Sequence, residues 1–205
     1  MRRLVLTLMG LGLLAAAAAA AAARAQDYPP PRTMHLPDAA HWFAGLTLTD
    51  QDGHALKLYD DLMAGRLLVI NEFYANCRAV CPPVMGNIAL LQDKAAIEGI
   101  KASFVSITVD PAHDTPEMLR LYANGLAIKP GWHLMSGEPA VVQQALHRFG
   151  LDTDPNDPSD HLNILYIANL RTGVWKKVFS LTPPEDLARI LDEVAAGTDA
   201  PAPSQ

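Results

Sequence analysis

The chain holds two cysteines, Cys77 and Cys81, and both fall where a strand gives way to a helix. Before them Leu67-Leu68-Val69-Ile70 is a short apolar run with β-branched members, which reads as a buried strand. After them Val84, Ile88, Leu91 and Ala95 recur at helical spacing. Pro82 and Pro83 suit first helical positions, where a missing N–H costs little. Cys77 therefore sits in a strand-to-helix turn, and the separation of four puts both sulfurs on one side of the first helical turn. A helix N-terminus carries partial positive charge, which favours thiolate. Such a pair can exchange disulfides or hold a soft metal, and a third group must decide between them.

The remaining pattern supplies the frame. Residues 46–49 and 55–58 alternate about Asp50-Gln51-Asp52-Gly53, which predicts a β-hairpin ahead of the main domain. A strand over 67–73 leads through the cysteine turn into a helix to about Glu98, closed by Gly99. Residues 102–108 are the next strand, giving a parallel, right-handed β-α-β unit. Thr115 or Asp114 caps a helix with Pro116 in its first turn and Met118, Leu119, Tyr122 and Leu126 on its apolar face. Residues 132–135 form a short strand. Val141, Val142, Ala145, Leu146 and Phe149 mark a helix ended by Gly150. Residues 162–168 and 174–179 form a hairpin about Arg171-Thr172-Gly173, and Leu187, Ile190, Leu191 and Val194 mark the last helix. That order defines an α/β, thioredoxin-like fold with an N-terminal β-hairpin extension and an inserted helix. Chemistry in such sheets gathers at the carboxyl ends of the parallel strands, where Cys77 and Asp110 lie.

Thioredoxins usually present a cis-proline to the redox cysteines just ahead of the penultimate strand. This chain has Ser159-Asp160-His161-Leu162 there, after a polar loop over 152–160 long enough to let His161 swing. Two thiolates and one imidazole make a soft site that suits copper, Cu(I) above all, with zinc also compatible. The plainer reading of a lone histidine at a strand start is a surface side chain. His35, His41 and His54 read as solvated, His133 and His147 as structural, and His113 as a loop residue sharing the active face. Met85, Trp132 and Trp175 read as core.

Arg2 and Arg3, an apolar stretch over 4–23 and Ala23-Arg24-Ala25 predict a secretory signal peptide over 1–25. The alternative is an uncleaved inner-membrane anchor formed by residues 4–23. Either way the folded part is expected to be periplasmic. Cleavage removes three basic residues (Arg2, Arg3, Arg24) and no acid, turning a net charge of −6 into −9. An acidic exported domain without a basic stripe is a poor nucleic-acid binder. A disulfide closing so short a loop would constrain the unfolded chain little, so a bridge between the two cysteines would be functional rather than structural. Residues 26–40, with Pro29, Pro30, Pro31 and Pro37, read as a Pro-rich linker, 41–196 as the domain, and 197–205 as a disordered tail.

Three motifs occur together over roughly residues 40–195. They are Phe73-Tyr74 with Cys77 and Cys81-Pro82, then Val109-Asp110-Pro111 with Asp114-Thr115-Pro116, then Asp160-His161 before a strand bearing Tyr166. In this order they resemble the Sco/SenC family. The resemblance implies a thioredoxin-fold, membrane-facing copper protein that helps metallate the copper-A centre of cytochrome c oxidase, with Cys77, Cys81 and His161 as the ligands. Its implied partners are the copper-A-bearing subunit or another copper protein, together with thiol–disulfide partner proteins; membrane proximity is expected without a permanent span. Some members act mainly as thiol–disulfide reductants. The rival is therefore a periplasmic thiol–disulfide oxidoreductase, with Cys77 and Cys81 as the redox pair and His161 only tuning them. Arg78 stands where a proline is usual, His113 where an arginine is common and Leu162 where a serine is usual. These departures leave the ligand set intact and bear on partner choice and redox poise. A peroxiredoxin-type peroxidase would want Thr three residues before the reactive cysteine, where this chain has Tyr74.

Overall fold

The structure, a computed structural model, describes residues 32–35, 39–154 and 157–197. Its elements are β1 (Arg32–His35), α1 (Ala39–Trp42), β2 (Thr47–Thr49), β3 (Ala55–Lys57), β4 (Leu67–Phe73), α2 (Cys81–Ile97), β5 (Ala102–Thr108), α3 (Pro116–Leu126), β6 (Trp132–Met135), α4 (Pro139–Phe149), β7 (Ile164–Asn169), β8 (Val174–Phe179) and α5 (Pro184–Ala196). A six-stranded sheet runs in the order β1-β8-β7-β4-β5-β6, and β2 and β3 pair separately as a hairpin. β4 is parallel to β5, and β5 to β6. β7 is antiparallel to both β4 and β8. The order is that of a thioredoxin-like α/β domain carrying the expected hairpin in front.

β4 explains the layering. All seven of its residues are buried, as a strand covered on both faces requires. Alternate side chains go to opposite layers. Leu67, Val69 and Phe73 pack with Val84, Ile88 and Leu91 of α2 and with Leu187, Ile190, Leu191 and Val194 of α5. Leu68 and Ile70 pack with Val142, Leu146 and Phe149 of α4, and with Phe43, Leu46 and Leu48 from the hairpin side. Fully burying a side chain of this size contributes about 1.5–3 kcal/mol, so the site rests on a sheet braced from both sides.

A polar chain crosses the parallel strands within this core. The Trp132 indole N–H donates to Ser106 Oγ at 3.0 Å, and the Ser106 hydroxyl donates to Asn71 Oδ1 at 2.7 Å. It ties β6, β5 and β4 together below the cysteine turn.

Several expectations change. Residues 32–35, read as part of a linker, form an edge strand antiparallel to β8. Leu58, read as the end of a strand, instead opens a π-helical turn over Leu58–Met63. Met118 is 47 % exposed, whereas Leu119 and Ala123 turn inward from α3. His147, read as structural, finds its partner at the surface: its side chain is 67 % exposed and pairs with Asp152. The signal peptide over 1–25 and the tail beyond Gly197 lie outside the described residues, and among those described no helix is long and apolar enough to cross a membrane.

Candidate metal centre

The cysteine turn begins where β4 runs out. The Val109 N–H bonds Phe73 O at 2.8 Å, and the Cys77 N–H closes a tight turn on Tyr74 O at 3.1 Å. The helix starts at Cys81, with Pro82 and Pro83 following, so Cys77 lies in the turn ahead of α2 rather than in its first turn. Prolines remove two of the orphan N–H groups a helix start exposes. The Cys81 N–H points at Cys77 Sγ, 3.2 Å away, so the sulfur takes the part of a capping acceptor; Val80, at the cap, makes no side-chain cap bond.

Asp114 holds this turn from below. One carboxylate oxygen, Oδ2, accepts the Ala75 N–H at 3.0 Å and the Thr108 hydroxyl. Thr115, not Asp114, caps α3, accepting the Met118 N–H. Burial pushes the Asp114 pKa up against the pull of its two donors.

His161 arrives from the other side. Asn163 adopts a left-handed φ of +52°, which asparagine tolerates, and turns the chain into β7. Its amide donates to His161 O at 3.3 Å. The imidazole is not free to swing: its side chain is 5 % exposed. It stands edge-on to Tyr74 with ring centroids 5.9 Å apart. His161 Nε2 lies 3.8 Å from Cys81 Sγ, and Nδ1 lies 3.8 Å from Glu72 Oε1. The ligand atoms of Cys77, Cys81 and His161 all fall within 4.8 Å of one another.

Both cysteines are free and buried, and their environments push them apart. Burial raises the Cys77 pKa, but the Cys81 thiol and the N–H groups of Cys81, Ala79 and Val80 outweigh it and bring the value down to about 7. Burial, then the interaction with Cys77, pushes Cys81 up to about 12. Burial lowers the His161 pKa, yet Glu72 and Cys77 outweigh it and the net shift is upward. Cys77 is the more acidic thiol of the pair, and Cys81 is the one that keeps its proton more tightly.

All three predicted site residues thus meet. Sequence reasoning missed Glu72, a carboxylate in a wholly buried strand; its one available signal was an acid set inside a strand-like run. His113 is exposed and bonds Asp110 at 2.7 Å, and it is not among the clustered ligand residues. Met85 is fully buried, as expected. Arg78, Asn76 and Ala79 form the exposed rim of the turn.

A second group, Asp50, Asp52 and His54, also lies within 4.8 Å. Asp50 is committed to structure. Its Oδ1 accepts the N–H groups of Asp52 and His54 at 2.9 Å, and its Oδ2 faces Nδ1 of His54 and of His133 at 3.3 Å. These contacts fasten the β2–β3 turn to β6.

Fold and cluster together define a thioredoxin-like domain with a dithiol and an imidazole at the mouth of its central strands. The SCO1/SenC family model matches residues 37–196, and the chain belongs to that family. It is 28 % identical over 106 residues to the SCO1 protein homolog of Bacillus subtilis, covering 51 % of this chain and 52 % of that protein, so it spans about half the length of that relative. Among solved structures, a SCO1/SenC family lipoprotein from Bacillus anthracis is similar at 26 % identity and a TM-score of 0.63, over 83 % of this chain and 98 % of that one. ScoI of Bradyrhizobium japonicum, solved with copper bound, is 25 % identical with a TM-score of 0.60, over 73 % of this chain and 96 % of that one.

Proposed function

We propose that this protein is an exported copper metallochaperone that holds its cargo through Cys77, Cys81 and His161. On this reading it assists assembly of the copper-A centre of cytochrome c oxidase, its recipient being the copper-A-bearing subunit or another copper protein. The observation that carries the reading is the convergence of two free thiols and one imidazole within 4.8 Å. Two sulfurs and a nitrogen form a soft donor set matched to copper, and to Cu(I) above all. The lowered Cys77 pKa supplies one sulfur as thiolate near neutral pH. Membership of the family and the copper-bound relative from Bradyrhizobium japonicum support the same cargo. Export to the periplasm rests on the leader over 1–25 and gains support from the lipoprotein relative.

The test is anaerobic loading of reduced protein with Cu(I), compared with Cys77→Ala, Cys81→Ala and His161→Ala. Wild type should retain about one copper per chain after desalting, and each variant should lose most of it. Equal retention by all four proteins would refute the ligand set. Oxidation to a Cys77–Cys81 disulfide should abolish uptake, because a sulfur engaged in a disulfide is no longer a thiolate donor.

The split between the two thiol pKa values favours a second chemistry on the same pair. The Cys77 thiolate attacks a partner disulfide and releases one partner thiolate. Cys81, once deprotonated, then attacks Cys77 Sγ and releases the other partner thiolate, leaving the Cys77–Cys81 disulfide. His161→Ala should keep this exchange while losing copper.

A further inference from the structure

Glu72 is a carboxylate in the middle of the sheet, 3 % exposed as a residue and with a side chain 0 % exposed. Its Oε1 accepts one hydrogen bond, from the Ile164 N–H at 3.3 Å. Among the described residues its Oε2 has no hydrogen-bond partner, and neither has the buried Nδ1 of His161. Burying such groups unpaired is costly. Yet the two side chains face each other, with Nδ1 standing 3.8 Å from Oε1, less than an ångström beyond a good hydrogen bond. The opposite nitrogen of the same ring, Nε2, is turned to Cys81 Sγ. A small closure of that gap would make Nδ1 the donor to the carboxylate and leave the Nε2 lone pair toward the thiols.

We propose that Glu72 is the positioning residue of this site: it takes the Nδ1–H of His161, fixes the ring with Nε2 toward the cysteines, and biases the site toward Cu(II) over Cu(I). The bias rests on the copper reading above and follows from charge. Two thiolates and Cu(I) sum to one negative charge, and a buried carboxylate beside them makes two. With Cu(II) the same groups sum to one. In a low-dielectric setting the carboxylate therefore penalises the reduced ion more than the oxidised one. Carboxylates that accept from a metal-bound imidazole also raise its basicity, which again suits the harder ion. The donor set alone points to Cu(I), whereas the residue beneath it pulls the other way.

The experiment compares wild type with Glu72→Gln, Glu72→Leu and His161→Ala. The first substitution keeps the shape and an acceptor oxygen without the charge; the second removes acceptor and charge together. In metal-free reduced protein, the ring ¹⁵N shifts of His161 report which nitrogen carries the proton, and the same spectra report folding. Wild type and Glu72→Gln should show the Nδ1–H form, and Glu72→Leu should shift toward Nε2–H. Affinities are then measured with a chromophoric Cu(I) chelator in competition, and with Cu(II) salt followed by electron spin resonance. The ratio of Cu(II) to Cu(I) affinity should fall about 10- to 100-fold in Glu72→Gln, while both affinities fall in Glu72→Leu. An unchanged tautomer and an unchanged ratio in both Glu72 variants, with wild type binding copper and His161→Ala failing to, would overturn the role of Glu72 alone. An Nε2–H ring in wild type would overturn it as well. Failure of wild type itself to bind either ion would overturn the metallochaperone reading and the oxidation-state bias with it.

Discussion

Replacing Asp114 with Ala tests how the cysteine turn is held. Two donors converge on one buried oxygen, the Ala75 N–H at 3.0 Å and the Thr108 hydroxyl. Hydrogen bonds to a charged acceptor are worth about 1.5–3 kcal/mol each, so the pair sets a ceiling of about 3–6 kcal/mol. Two effects reduce it. Burial already disfavours the ionised carboxyl, shown by its raised pKa, and the half-buried Ala75 N–H can turn to water once released. The expected loss is about 2–3 kcal/mol, which for a domain of this size lowers Tm by about 4–12 °C. The loss also depends on pH. A folded-state pKa above the ordinary 3.8 means that the native state binds the proton more tightly. The wild type then loses this contribution as pH rises above that value, and Asp114→Ala does not. The gap between the two proteins should therefore be wider near pH 4 than at pH 7. Urea unfolding at both pH values measures it, alongside iodoacetamide labelling of Cys77. Slackening the turn two residues before Cys77 should move its labelling midpoint from about 7 toward the ordinary 9.0. A variant within about 0.5 kcal/mol of wild type, the range of an ordinary surface change, would refute the idea that Asp114 anchors the turn.

Iodoacetamide should label Cys77 half-maximally near pH 7 in the reduced wild type, while Cys81 stays unmodified across the neutral range, as mass mapping of the two sites will show. His161→Ala removes a side chain that is 5 % exposed and leaves Glu72 with even less company, so the metal-free variant should unfold about 1–3 kcal/mol more easily in urea; in copper it should also lack the thermal stabilisation that binding to the native state gives wild type. Processing after Ala25 predicts a soluble periplasmic protein whose intact mass begins at Gln26, and a full-length mass in the membrane pellet would mean an anchor instead.

Much of the frame was legible because its apolar runs were continuous. Strands over 102–108 and 132–135 appear where expected, since a strand buried on both faces needs no alternation and its ends are set by the residues that break it. Leu187, Ile190, Leu191 and Val194 all face inward, because the stripe of an amphipathic helix survives any docking angle. His161 was found by its place ahead of the penultimate strand, though not its confinement: burial there depends on Tyr74 and Glu72, which come from the end of a distant strand. Met118 failed as a core residue because the start of α3, fixed by the Thr115 cap, turns Leu119 and Ala123 inward instead. The strand over Arg32–His35 was hidden because its pairing with β8 lies more than a hundred positions away, beyond any local pattern. Glu72 was invisible for a related reason. A charge within a buried run carries no periodic signal, and only the chain folded around it reveals its neighbour.

The register of β4 against β7, with Asn71 opposite Leu165, also sets when the donor set comes into being. The two sulfurs are neighbours in sequence, but the imidazole stands 80 residues beyond Cys81. Closing a loop of that length in an open chain costs about 4 kcal/mol in entropy before any constant is added. A nascent or partly collapsed chain therefore offers a bare thiol pair, without its third donor. Only when β7 docks beside β4 does the histidine join the sulfurs, so the three-donor cluster is an end product of folding rather than a local property of the cysteine segment. A chain that ends before residue 161 carries the thiol pair without its imidazole.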